Sequence, residues 1–291
     1  MDHTIYYVIG AILYIVGAPF LGCLMDGAER KLSARMQGRI GPPILQPWYD
    51  FVKLLNKQVV TVDRAQFFIL LSYLVLMIMS GAMFFSGNDL LMTFFVLSTT
   101  GTFLYFAAIV PSSPYSSMAA SRELIQEVCY EPAVLLLSVG FYLATGTFNA
   151  RAVFSQHTSL ILFMPGFLAS YLFAMIIKLR LSPFDVSTSH HAHQELVQGV
   201  TTEMGARNLA IFKMAEWYEM VFLYGVVMVF ILNSSPLSIL AAVLVDLAMF
   251  FCFVLIDNTN ARVKWENMLG MSWTVTGLCS GVNLPILMMI R

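Results

Sequence analysis

Three glutamates spaced four residues apart, Glu123, Glu127 and Glu131 in the run SRELIQEVCYEP, are the clearest chemical feature of the chain. On a helix rising ~1.5 Å per residue they stack on one face at intervals of about 6 Å. Like charges at this spacing destabilise a helix, and a carboxylate in hydrocarbon costs ~2.5–3.5 kcal/mol or more. A file of carboxyl groups kept despite that cost is what a proton relay requires. The competing reading is an interfacial patch solvated by headgroups and paired with Arg122. A second cluster, AEWYEM, places Glu216 and Glu219 at i, i+3 beside Trp217 and Tyr218, two side chains suited to anchoring at a membrane interface. Of the two carboxylates, Glu216 is the stronger functional candidate. Asp246, in LAAVLVDLAMFF, is the single clearest charge inside an apolar stretch. It is either functional, with a partner in the bundle, or hydrogen-bonded to a Ser, Thr or Tyr of a neighbouring helix.

The segment LRLSPFDVSTSHHAHQELVQGVTTEMGARNLAIF adds Glu195 and Glu203, eight residues apart on an expected helical patch; a solvated face is their alternative. Its His190, His191 and His193 offer only i, i+1 and i, i+3 spacing. Helical metal sites want convergent spacing such as i, i+4. A solvated loop or a proton-handling role fits these histidines better than metal ligation.

What must position these residues is a set of membrane helices. Of the 291 residues, 11% are charged and 58% hydrophobic, against about a quarter charged in a soluble domain. A bilayer-spanning helix needs ~20 mostly apolar residues, because every backbone polar group must be satisfied within it. Eight segments meet that need, at roughly 4–25, 67–86, 90–110, 129–147, 159–178, 217–233, 237–256 and 267–290. The expected fold is therefore all-α: one polytopic membrane domain over 1–291, with a long amphipathic docking loop at 26–65 and an acidic, His-bearing loop at 179–216.

Fourteen of the sixteen Lys and Arg residues fall in the first, third, fifth and seventh loops, with only Arg151 and Arg291 opposite. The positive-inside rule puts those loops in the cytoplasm and both termini outside it, in a cell (inner or plasma) membrane. The basic residues thus have a topological explanation and imply no nucleic acid. Cys23, Cys129, Cys252 and Cys279 show no C-x-x-C spacing and read as small core residues. This excludes an iron–sulfur or zinc site built by the chain alone, so any redox metal must sit on a partner. No inverted repeat or interrupted helix pair points to a stand-alone transporter.

Two motifs carry a resemblance. The run AERKLSARMQGRIGPPILQPWYDFVKLLNKQ resembles the AER(K/R)…Q-x-R-x-GP…LQP-x-x-D-x-x-K-L-x-x-K signature of the H/1 family of complex I membrane subunits. SPFDVSTSHHAHQELVQGVTTEMGARNLAIFKMAEWYEM is similar to that family's PFDLPE…ELV-x-G…EY-x-G…F-x-x-AEY loop. The resemblance covers the whole chain. It implies that Glu131, Glu195, Glu203 and Glu216 line a connection between a redox module and the ion channels of antiporter-like subunits. It implies equally that Arg30, Arg35, Arg39, Gln46, Pro47, Asp50 and Lys53 dock the peripheral arm.

The departures narrow the branch. Lys178 stands where complex I has a Glu, Leu181 where it has an Arg, and Met204 where a Tyr follows the matched Glu203; STSHH replaces an acidic run. These changes fall beside the quinone cavity of complex I. They look like the Ech-type branch, the energy-converting nickel–iron (NiFe) hydrogenases. The implied chain is a non-catalytic anchor and coupling subunit with no cofactor of its own. Nickel–iron and iron–sulfur centres would lie on hydrogenase large and small subunits, ferredoxin would donate electrons, and H+ or Na+ would be pumped. The alternative is the quinone-site subunit of a complex I-like NADH or ferredoxin:quinone oxidoreductase.

Overall fold

The computed structural model describes residues 2–59, 63–188, 196 and 198–290. Among these the secondary structure is helical, with no strand. The helices are α1 (Asp2–Met36), α2 (Gln46–Asn56), α3 (Arg64–Phe85), α4 (Leu90–Ile109), α5 (Pro114–Thr145), α6 (Pro165–Lys178), α7 (Ala206–Ile231), α8 (Leu237–Thr259) and α9 (Trp265–Ile290). Local chemistry sets several starts. The Asp63 and Asp89 side chains accept from the first backbone N–H groups of α3 and α4, and prolines open α2, α5 and α6. Gly146, at φ 80°, closes α5.

Among the described residues six helices, α1, α3, α4, α5, α7 and α8, are long and apolar enough to cross a membrane. The 14-residue α6 is apolar but spans only about 21 Å, short of a ~30 Å hydrocarbon core, and the 3-10 turns before it lengthen the path. The 26-residue α9 packs on α5 and α6 and carries more Ser, Thr, Asn and Gly than the others. The eight expected spans are thus all present as helices, and the protein is a polytopic membrane protein.

Four boundaries differ from hydropathy: α6 begins at Pro165 and not near 159, and three others shift further. α1 runs on to Met36, α5 begins at Pro114 and not near 129, and α7 begins at Ala206 and not at 217. Arg122 therefore lies in a helix, as does the end of the 179–216 segment. Polar residues extend these helices because tertiary partners satisfy them. Asn208 of α7, for example, is buried and donates to the Gln66 side chain (2.8 Å), which itself donates to the Ala107 carbonyl (3.2 Å).

α7 lies at the centre, against α1, α2, α3 and α8; α4, α5, α6 and α9 form the other flank. Among the described residues Pro19, Pro132 and Pro285 interrupt helices, and for the first two a neighbour takes up the orphaned carbonyl four residues back. Pro19 frees Ile15 in α1, which accepts from the Tyr218 hydroxyl (2.7 Å). Pro132 frees Val128 in α5, which accepts from the Trp273 indole (3.3 Å), and the adjacent Cys129 carbonyl accepts from Ser272 (2.5 Å).

Cys23 and Cys129 are buried, as expected, but Cys252 is exposed. α8 lies at the edge and turns most of its surface outward, so an apolar position there is not a core position.

Candidate functional site

All four loops rich in Lys and Arg gather at one end of the bundle. There Ser33 of α1 and Gln37 just after it bond Asn258 of α8, and Ser182 bonds Asp257 and Asn260. A cavity of about 580 Å³ opens at this end between α1, α7, α8 and the segment after α6. Its wall carries acids from four elements: Asp26 and Glu29 (α1), Asp185 (the segment after α6), Glu216 and Glu219 (α7) and Asp257 (α8). Arg30, Arg180 and Lys213 interleave with them.

Arg180 is the hub. Its backbone is left-handed (φ 54°), unusual for a residue with a Cβ. Its guanidinium donates to both oxygens of Glu123 (2.6 and 3.1 Å) and stands 3.6 Å from Glu216 and 4.0 Å from Glu219. Burial pulls the Arg180 pKa down, but Glu123, by charge and hydrogen bonds, then Glu219 and Tyr73, outweigh it and hold the pKa well above the usual value. Lys178, the last residue of α6 and buried, stands 3.4 Å from Glu219 and donates to the Tyr130 hydroxyl (2.6 Å), which donates to Glu127 (2.8 Å).

From Glu127 the file continues along α5. Glu131 lies one turn on, about 6 Å along the axis, half-buried and bonded to Ser98 of α4. α4 is shaped for this. A Cβ at Gly101 would fall on the Glu127 carboxylate, so the glycine leaves that side chain its observed position, one turn from Ser98.

The segment after α6 is tied to the same cluster. Gln126 donates to the Phe184 carbonyl (2.8 Å), Ser187 to Glu123 (2.6 Å), and Arg262 to the Val186 carbonyl (3.2 Å) while facing Asp185 (3.8 Å).

The structure therefore brings Glu123, Glu127, Glu131 and Glu216 into one chain of charged and hydroxyl groups. Glu203 is half-buried in the turn after Gly199–Thr201; among the described residues no hydrogen bond or ion pair links it to that chain. Glu195, His190, His191 and His193 lie outside the described residues. Among those described, no group of three or more His, Cys, Asp or Glu gathers to hold a metal ion. Asp246 is buried apart from the cluster, and among the described residues neither of its oxygens has a hydrogen-bond partner, so neither the expected bundle partner nor the alternative hydrogen bond to Ser, Thr or Tyr is found there.

Of the first-loop residues, Arg30 bonds Asp26 (2.8 Å) and Asp50 (3.3 Å), and Gln46 bonds Asp50 (3.0 Å). With the buried Pro47 they hold α2 against α1, whereas Arg35, Arg39 and Lys53 are exposed. Trp48 stacks on Phe20 and Phe51 meets Trp217 (5.5 Å each), which seats the apolar face of α2.

Sequence reasoning missed Lys178 and Arg180 as site residues and ranked Glu216 above Glu219. Yet Glu219 is the more buried, with its side chain 3% exposed against 25%. The available signal was charge matching: two cations closing an apolar helix need buried carboxylates to meet them.

The profile of the NADH dehydrogenase family matches residues 9–288. The chain belongs to that family. It is 27% identical to Hydrogenase-4 component C of Escherichia coli (strain K12) over 92% of each chain. It is 26% identical to NADH-quinone oxidoreductase subunit 8 of Thermus thermophilus, over 94% of this chain and 87% of the relative. The fold matches a chain of the membrane-bound sulfane sulfur reductase, an archaeal respiratory membrane complex, with a TM-score of 0.82 at 20% identity, covering 97% of this chain and 99% of the other. This is the H/1 family of complex I to which the two motifs pointed. Its members are named as components or subunits of larger complexes.

Proposed function

We propose that this chain is the membrane-anchor and ion-translocation coupling subunit of a ferredoxin-dependent, energy-converting hydrogenase, with both termini outside the cytoplasm. The observation that carries this reading is the run of groups from the cavity wall to the far side of α4 and α5. Glu216 and Glu219 meet Arg180 and Lys178; these meet Glu123 and Tyr130; Tyr130 meets Glu127, one turn from Glu131. A charge change at the cavity shifts which carboxyl holds a proton, and the change passes along the row by Coulomb coupling, which is strong where water is scarce. The exposed Arg35, Arg39 and Lys53 and the surface of α2 offer a docking site for hydrogenase large and small subunits carrying nickel–iron and iron–sulfur centres. Glu131, half-buried between α4 and α5, hands the change to an antiporter-like neighbour pumping H+ or Na+. Similarity to Hydrogenase-4 component C supports the hydrogenase branch.

The test is to purify the intact complex through a tag on this chain and measure nickel. About one nickel per complex supports a hydrogenase; none, with the peripheral subunits attached, sinks it. Glu131→Gln and Glu219→Gln should each stop or uncouple ion pumping while the complex assembles, and normal pumping in both would refute the relay.

A second reading is favoured by the cavity itself. Its volume of about 580 Å³ lies within the ~300–1,000 Å³ usual for small-molecule sites, and Phe212, Trp217 and Tyr224 line it. In that reading the chain is the quinone-site subunit of a complex I-like oxidoreductase. Quinone-dependent activity lost on substituting those aromatics would establish it.

A further inference from the structure

Asp246 stands outside the row of groups just described. It is 8% exposed on α8, and neither carboxylate oxygen has a hydrogen-bond partner among the described residues. Its surroundings are nevertheless specific. One to two turns along α8, Phe250 and Phe253 line the cavity together with Tyr224, whose ring centroid lies 6.2 Å from each of theirs. Tyr224 is within electrostatic range of both Glu29, on the cavity wall, and Asp246. On the other side Tyr171 of α6 is within range of both Asp246 and Glu219, and its hydroxyl donates to the Leu223 carbonyl (3.0 Å). The titratable groups within range of Asp246 are therefore Tyr224 of α7 and Tyr171 of α6, and the acids Glu29 and Glu219 lie beyond them, within range of Tyr224 and Tyr171 respectively. All are neutral or acidic; among the described residues none is a cation that could pair with it.

An ionised carboxylate buried without donors carries a desolvation penalty of several kcal/mol. Some positive species must share the site. Hard metal ions of the calcium and magnesium kind take six or more oxygen ligands, and no cluster of three or more acidic, His or Cys side chains forms among the described residues. A proton needs only the one carboxyl group.

We propose that Asp246 is a proton-binding site, filled and emptied from the cavity past Tyr224, which biases Glu219 through Tyr171. Glu219 is then read from two sides: by Lys178 and Arg180 in the main row, and by the occupancy of Asp246 behind the cavity. The role in coupling rests on the proposed function; the presence of the proton does not.

The test uses infrared difference spectra of the purified intact complex, wild type against Asp246→Asn, at neutral pH in H2O and D2O. Asparagine keeps the shape of the side chain, so folding is preserved. The expected result is loss of one carboxylic-acid C=O band, which shifts down in D2O and is indifferent to added sodium chloride. Tyr224→Phe should slow the exchange of that band with D2O several-fold. Loss of carboxylate bands in place of a carboxylic-acid band would overturn the proposal, as would a band that sodium abolishes at fixed pH. Unchanged exchange in Tyr224→Phe would overturn the route. None of these outcomes depends on nickel content, so failure here is distinguishable from failure of the hydrogenase reading.

Discussion

Replacing Arg180 by leucine tests whether the cluster is held by charge compensation or by packing. Arg180 and Glu123 have side chains 6% and 7% exposed, joined by two hydrogen bonds of 2.6 and 3.1 Å. Arg180→Leu keeps most of the volume but leaves the Glu123 carboxylate with the Ser187 hydroxyl as its remaining donor. Removing one member of a buried pair costs ~3–5 kcal/mol, because the other charge is left uncompensated. Replacing both members by apolar residues is often neutral, or stabilising by ~1–4 kcal/mol. The single variant should therefore be destabilised by ~3–5 kcal/mol, and Arg180→Leu with Glu123→Leu should recover most of that loss. The assay follows labelling of the buried Cys23 and Cys129 by a thiol-reactive dye as the detergent-solubilised complex is denatured, with the exposed Cys252 and the half-buried Cys279 changed to serine to remove background. A double variant no more stable than the single one would refute the charge-compensation argument. So would a single variant as stable as the wild type.

Further outcomes follow from local geometry. Gly101→Ala sets a methyl group against the Glu127 carboxylate and should cost ~1–3 kcal/mol in the same denaturation assay, as overpacking does. A control Gly277→Ala, where the added carbon meets nothing within 4 Å, should be neutral. Ser272→Ala and Tyr218→Phe each remove a donor to a carbonyl at a proline break. Each should destabilise by ~0.6 kcal/mol and by no more than ~1.7 kcal/mol, the range for interhelical hydrogen bonds in membranes. A loss of several kcal/mol would mean that these contacts hold the break open as well as satisfying it.

Much of the fold was legible in the sequence because the bilayer constrains it. Apolar runs at 67–86, 90–110 and 237–256 matched helices to within a few residues, since a chain in hydrocarbon must satisfy its own backbone and its length is set by the membrane. Hydropathy failed where tertiary partners replaced lipid. Pro114 to Val128 is too polar to be read as a span, yet it is helical, with Glu123 met by Arg180 and Gln126 by the Phe184 carbonyl.

The site was legible only by type. Periodicity alone put Glu123, Glu127 and Glu131 on one face of α5, because 3.6 residues per turn leaves little freedom at i+4 spacing. Sequence also concentrated the Lys and Arg residues in alternate loops, a pattern that requires those loops to share one end of the bundle. It could not say which cation meets which carboxylate. Lys178 and Arg180 come from the end of α6, Glu219 from α7 and Glu123 from α5, and their meeting depends on how three helices cross. Nor could it separate Glu219 from Glu216. Three residues apart and both on the cavity wall, they differ in burial because Glu219 alone meets the buried Lys178. The sequence marked Asp246 as a charge in an apolar run; only tertiary structure surrounded it, among the described residues, with side chains that give it no donor. Local spacing fixes what a helix carries on each face; only packing fixes what that face meets, and at this site the meeting determines where charge can reside.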